Sequence, residues 1–303
     1  MYLRSDEICA LRSVLRRLVQ GFCAAAQLRG GPVRKLLDGL KLLYGNGLWG
    51  LAMLELNGLF FAIAAPAVAF AGLSKGGFGG GAAFASASIL ALITDPGAAL
   101  GIMLPLLMLI DVTNLRPYWQ KWSLPDARVL ILGAVPGVVL GVALYRVADA
   151  DVLRLMIGVI SLLFVAWHLA QRTGLIRGFQ QRLPGWAGGI AGLLAGFTSF
   201  VSHAGGPPVA AYLLSQRLPK TRFQATTVLV FWVINITKFV PYAFLGMFTV
   251  QTALADLLLA PFAIAGAWLG VRVHHTLPEG LFFAITYVLL TLTGSKLIWD
   301  ALI

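Results

Sequence analysis

From Leu56 onward, apolar residues run in long blocks separated by short polar or glycine-containing interruptions. Leu56 to Ser74 and Phe223 to Thr237 contain no charged residue. Runs of about 20 apolar residues are long enough to cross a hydrocarbon core about 30 Å thick. The pattern predicts membrane-length helices over 56–74, 98–118, 127–147, 152–170, 186–200, 222–246, 252–273 and 279–301. Short helices are predicted over 82–93 and 209–216. The fold class is therefore all-α, a polytopic integral membrane protein.

Two interruptions stand out. Gly72 to Gly81 reads GLSKGGFGGG, one lysine among six glycines in ten residues. Gly196 to Pro208 reads GFTSFVSHAGGPP. Further matches recur in nearly the same register. Thr113 to Tyr118 aligns with Thr237 to Tyr242 at a spacing of 124, and Pro136 and Gly141 align with Pro261 and Gly266 at 125. Gly80-Gly81 and Gly205-Gly206 also lie 125 apart. Three coincidences within one residue of a common spacing predict an internal duplication: repeats over 54–170 and 186–303, about five helical segments each, joined by a basic connector over 171–185. Broken or short helices at the repeat interface are where transporters of duplicated architecture hold their substrates.

Composition fits this picture. The chain has 303 residues, 59% hydrophobic and only 12% charged, whereas a soluble domain carries about 25% charge. The net charge of +11 is no signal for nucleic acid, because most Lys and Arg outside the amino-terminal arm sit in short loops between apolar runs. The basic loops are 116–128, 172–182, 217–222 and 272–275, while 94–97 and 246–252 carry no Lys or Arg. Five crossings per half put every basic loop on the cytoplasmic side of the cell inner membrane and invert the second half relative to the first. Re-entrant short helices would lower the count of full spans to about eight.

Residues 1–52 differ. Leu11, Leu15, Leu18 and Phe22 recur at helical spacing around Arg12, Arg16 and Arg17, which reads as a basic amphipathic surface helix. The topology places residue 55 outside, which sits badly with a basic arm, and a start of translation at Met53 is the alternative. Cys9 and Cys23 have no metal-ligand spacing, and no metal or cofactor is expected.

The polar residues inside apolar runs carry the chemistry, since a charge at mid-membrane costs about 2.5 kcal/mol or more. Asp111 and Asn114 share one helix face, as do Asn235 and Lys238 at the equivalent positions. The competing reading is that Asp111 and Lys238 lie near helix ends and snorkel to water. The two interruptions add Ser74, Lys75, Gly76, Gly77, Gly80 and Gly81 from the first and Ser199, Ser202, His203, Gly205 and Gly206 from the second. Helices expected to start after Gly81 and Pro208 would offer free backbone N–H groups, glycine permits close approach, and helix N-termini bind anions. With Asn114, Asn235 and Lys238 these residues form the expected substrate site; Asp111 and His203 are the expected proton-coupling groups. Tight helix packing is the plain alternative for the glycines.

The two small-residue motifs on this helical background resemble the TauE/SafE family of membrane permeases, the sulfite exporters, over residues 54–302. The resemblance implies transport of small sulfur-containing anions such as sulfite, sulfoacetate or other organosulfonates, driven by an ion gradient. The expected partners are a small anion, the lipid bilayer and a second copy of the chain, with no nucleic acid. Two other classes compete: a passive anion channel, and an intramembrane hydrolase using Ser202 and His203. Adjacent residues on a short break rarely face each other, and no third orienting group accompanies them, so triad geometry has no support.

Overall fold

A computed structural model describes residues 56–78, 82–175, 181–273 and 279–303; the amino-terminal arm, Gly80, Gly81 and His274-His275 lie outside them. The described residues form ten helices: α1 (Gly58–Gly77), α2 (Phe84–Ile93), α3 (Pro96–Tyr118), α4 (Leu124–Tyr145), α5 (Ala150–Arg172), α6 (Gly185–Ser202), α7 (Gly206–Ser215), α8 (Lys220–Phe244), α9 (Val250–Val273) and α10 (Glu279–Leu302). Eight are long and apolar enough to cross a membrane; α2 and α7, ten residues each, are not. Starts are set by local chemistry. The Asn57 side chain accepts from Phe60 N at 2.8 Å and Asp149 accepts from Val152 N at 2.8 Å. Asp95 accepts from Gly97 N and Ala98 N, with Pro96 opening α3. Each cap satisfies a donor that the helix itself leaves free.

The outward faces are apolar. Leu132, Leu257 and Leu292 are 72%, 71% and 65% exposed, the reverse of a water-soluble surface, and they belong against lipid. The inward faces bring small residues together. α4 packs along α6 and α1 along α9, the two most extensive helix pairs. A Cβ on Gly266 would lie 2.2 Å from Ala69 O, and one on Gly137 would lie 2.1 Å from Leu193 O. Without side chains, the backbones approach until they touch.

The packing is reciprocal. α3 meets α9 while α8 meets α4, and α5 meets α10. α3 and α8 cross antiparallel, with Leu115 and Tyr118 beside Ala225 and Val228 at one end and Leu100 and Leu104 beside Tyr242 at the other. Tyr118 OH donates to Gly76 O at 3.0 Å, and Tyr242 OH donates to Phe200 O at 2.5 Å; each bond spans 42 residues. These bonds join the carboxyl ends of α1 and α3, and of α6 and α8. The chain between each pair, including the short helix, therefore returns across the bundle. Tyr242→Phe should lower stability by about 1 kcal/mol or more by depriving the Phe200 carbonyl of this donor. A melt of the purified protein unchanged from wild type would count against the bond.

Candidate functional site

The sequence pattern places breaks at 72–81 and 196–208, yet helix persists through most of both. α1 continues to Gly77 and α6 to Ser202. The reason is tertiary. Cβ atoms on Gly72, Gly76 and Gly77 would come within 2.6, 2.5 and 2.7 Å of the α9 backbone, so these glycines serve a tight helix contact. Ser74 and Lys75 accordingly project from a regular last turn of α1. That turn is closed from several sides: Phe78 N donates to Ser74 O, and the Gln224 amide on α8 donates to Lys75 O at 2.7 Å.

The second break is narrow. His203 takes a left-handed conformation (φ 57°) and its N–H donates to Ser199 O at 3.0 Å, closing α6. Histidine is among the non-glycine residues that tolerate this region. α7 then starts at Gly206, three residues earlier than the sequence suggests, with Pro207 and Pro208 in its first turn. Proline has no N–H, so this helix start has fewer donors for an anion than expected. Gly205 packs against Ala195 O and the Phe231 ring.

The charged groups meet at the crossing of α3 and α8. Asp111 is fully buried; one carboxylate oxygen sits 2.5 Å from Lys75 Nζ and the other accepts from the Asn235 amide at 2.7 Å. Asn235 lies 124 residues after Asp111, so the two aligned positions touch each other directly. Lys238 is also fully buried, not snorkelling. Its Nζ donates to Ser199 O at 3.0 Å and Ser199 Oγ at 2.9 Å, and lies 2.9 Å from His203 Nδ1. His203 Nε2 is 3.2 Å from Leu100 O. A carbonyl can only accept, so Nε2 carries the proton and Nδ1 accepts from Lys238.

A small cavity lies beside these groups, about the volume of one water molecule. Lys75, Asn235, Ser199 and His203 supply its polar wall, and Ala83, Leu107 and Phe231 its apolar one. Lys75 Nζ stands 5.3 Å from the Phe231 ring centre, within cation–π range. Leu107, Phe231, Ala83 and the supporting Gln224 were not expected from the sequence. The signal for two of them was available, since Leu107 and Phe231 share the 124 spacing of Asp111 and Asn235.

Several expected site residues lie elsewhere. Ser202 Oγ donates back to Thr198 O of its own helix at 3.0 Å, so Ser202 and His203 form no nucleophile–base pair. Asn114 and Ser74 are fully buried but do not line the cavity; the Asn114 amide atoms and Ser74 Oγ have no hydrogen-bond partner among the described residues. Gly76, Gly77 and Gly205 act through packing, and Gly206 opens α7.

A family model described as Sulfite exporter TauE/SafE matches residues 64–297. No curated protein and no solved structure matches the chain. The match takes in both interruptions, every residue of the buried charge cluster and all of α2 through α9. The chain belongs to the TauE/SafE sulfite exporter family, a family of membrane transporters.

Proposed function

We propose that the protein is a secondary transporter that moves a small anion, sulfite or an organosulfonate such as sulfoacetate, across the cell inner membrane by alternating access coupled to protons. One observation carries this reading: two buried ammonium groups, Lys75 and Lys238, stand against a single carboxylate, Asp111, at a cavity shared by both halves of the chain. An uncompensated cation inside a membrane is costly, and an anion of the right size offsets it. Once the cavity opens, its two walls suit a sulfonate. The oxygens take donors from Lys75, Asn235 and Ser199, with the Lys238 charge directly behind Ser199, while an organic tail rests on Leu107, Phe231 and Ala83.

The two halves act as inverted repeats, and the aligned helices α3 and α8 carry the central groups where they cross. A cavity no larger than a water must open to load, which suits a form closed to both sides. Lys238 and His203 are joined by a hydrogen bond and His203 lines the cavity; with Asp111 they are the groups through which a proton gradient couples.

Uptake and efflux of labelled sulfite, sulfoacetate, taurine and sulfate in proteoliposomes, with and without a pH gradient, tests the proposal. Gradient-driven accumulation is expected and would exclude a channel. Lys75→Ala and Lys238→Ala should each weaken anion binding by roughly tenfold or more, the first by removing a charge-assisted hydrogen bond and the second by removing the buried positive charge behind Ser199. Parent-like binding in both would remove the lysines from the site. No flux of any anion, with ester or peptide hydrolysis lost in Ser202→Ala, would sink the transporter reading in favour of an enzyme.

A further inference from the structure

Among the described residues, the ionisable side chains gathered around the cavity are Lys75 on α1, Asp111 on α3, His203 after α6, and Lys238 and Tyr242 on α8. Tyr118 donates its hydroxyl proton to Gly76 O, the residue after Lys75 on α1, and keeps that proton there. His203 is neutral by geometry: with Nε2 donating to Leu100 O, a second proton on Nδ1 would point an N–H at the Lys238 ammonium 2.9 Å away. Tyr242 donates its hydroxyl proton to Phe200 O and is neutral as well. Lys238 Nζ has three acceptors within 3.0 Å, one for each proton of an ammonium, and Lys75 Nζ sits against the Asp111 carboxylate. Both lysines are therefore counted as charged, and the formal sum is one positive charge.

We infer that the site selects for anions bearing a single negative charge: bisulfite and sulfonates over sulfite dianion and sulfate. The inference rests on the transport reading above and deepens it. A monoanion brings the buried set to zero, whereas a dianion leaves one negative charge without a partner in a low-dielectric interior. The cluster has no further cation to answer it. The Lys75 ammonium is engaged by Asp111, and the hydroxyl and ring nitrogen beside Lys238 are neutral. Size contributes little here, because sulfate and methanesulfonate are both tetrahedral at sulfur and differ chiefly in one oxygen against one methyl. Asp111 is thus the specificity-determining residue: its carboxylate reduces two positive charges to one.

The test is binding to the purified full chain by calorimetry, with methanesulfonate, sulfate and sulfite as probes at mildly acidic and mildly alkaline pH. Methanesulfonate should bind at least about tenfold more tightly than sulfate, as the cost of an unbalanced intramembrane charge requires. Sulfite should weaken as pH rises, in proportion to the falling bisulfite fraction. Methanesulfonate, which keeps one charge throughout, reports any titration of the lysines, His203 or Asp111 themselves. In Asp111→Asn, which keeps the side-chain shape, the methanesulfonate-to-sulfate preference should fall about tenfold or more. Sulfate binding as tightly as methanesulfonate to the wild type would overturn the inference while leaving anion transport intact. An unaltered preference in folded Asp111→Asn would do the same; if that variant does not fold, the wild-type comparison and the sulfite pH series decide alone. If none of the three probes binds, the transport reading fails and this inference with it.

Discussion

Asp111→Ala is expected to destabilise the protein by about 3–5 kcal/mol, the loss that follows when one partner of a buried ion pair is removed. Two groups lose their partner together: the Lys75 ammonium at 2.5 Å and the Asn235 amide at 2.7 Å. Both are 5% exposed or less, so bulk solvent does not reach them, and a single water in the adjoining cavity would bring no charge to replace the carboxylate. The loss should appear as a lower melting temperature and a smaller monodisperse fraction in detergent. Asp111→Asn should fall between alanine and wild type, since its amide oxygen still accepts from Asn235 while the charge is gone. An alanine variant that melts like wild type would mean that Lys75 is not held by Asp111.

The second large effect is at glycines, and its sign depends on which face each glycine presents. Gly266→Ala and Gly137→Ala should each cost about 1–3 kcal/mol or more, because the new Cβ meets backbone oxygen at 2.2 and 2.1 Å and a helix must shift to admit it. Gly189→Ala should behave oppositely. A Cβ there meets nothing within 4 Å among the described residues, so the gain in helix propensity, about 0.5–1 kcal/mol, stands alone. Thermal melts of the three variants in one detergent check the contrast. Equal destabilisation at all three positions would show that helix propensity, not close contact, governs these glycines.

Much of the fold was legible because lipid imposes a simple rule: a helix that must satisfy its own backbone advertises itself as an uninterrupted apolar run. The helices expected over 98–118 and 252–273 are observed over 96–118 and 250–273. That Asp111 and Asn114 both turn inward was also readable, from i, i+3 spacing alone; that Asn114 stays apart from the charge cluster was not. What escaped is where the glycine stretch stops being helix. Six glycines signal a break locally, but that reading ignores α9, whose backbone fills the space the missing side chains leave. Lys75 escaped in part for the same reason. Placed in a loop it looks free to meet a ligand; on the last turn of α1 it faces α3 and takes Asp111. Contacts of this kind join residues that sequence keeps far apart, and periodicity carries no trace of them.

The glycine contacts bear on how such a protein can move. α4 precedes the connector and α6 follows it, yet their backbones touch; α1 and α9 are likewise joined across the chain's midpoint. Two surfaces in direct backbone contact cannot slide without first parting, so each of these pairs travels as one piece. Rocking of residues 58–172 as a block over residues 185–302 would tear both apart. In the proposed transport cycle the bodies that rearrange to expose the cavity would therefore be composite, each holding helices from either side of the connector, with no hinge at the sequence midpoint.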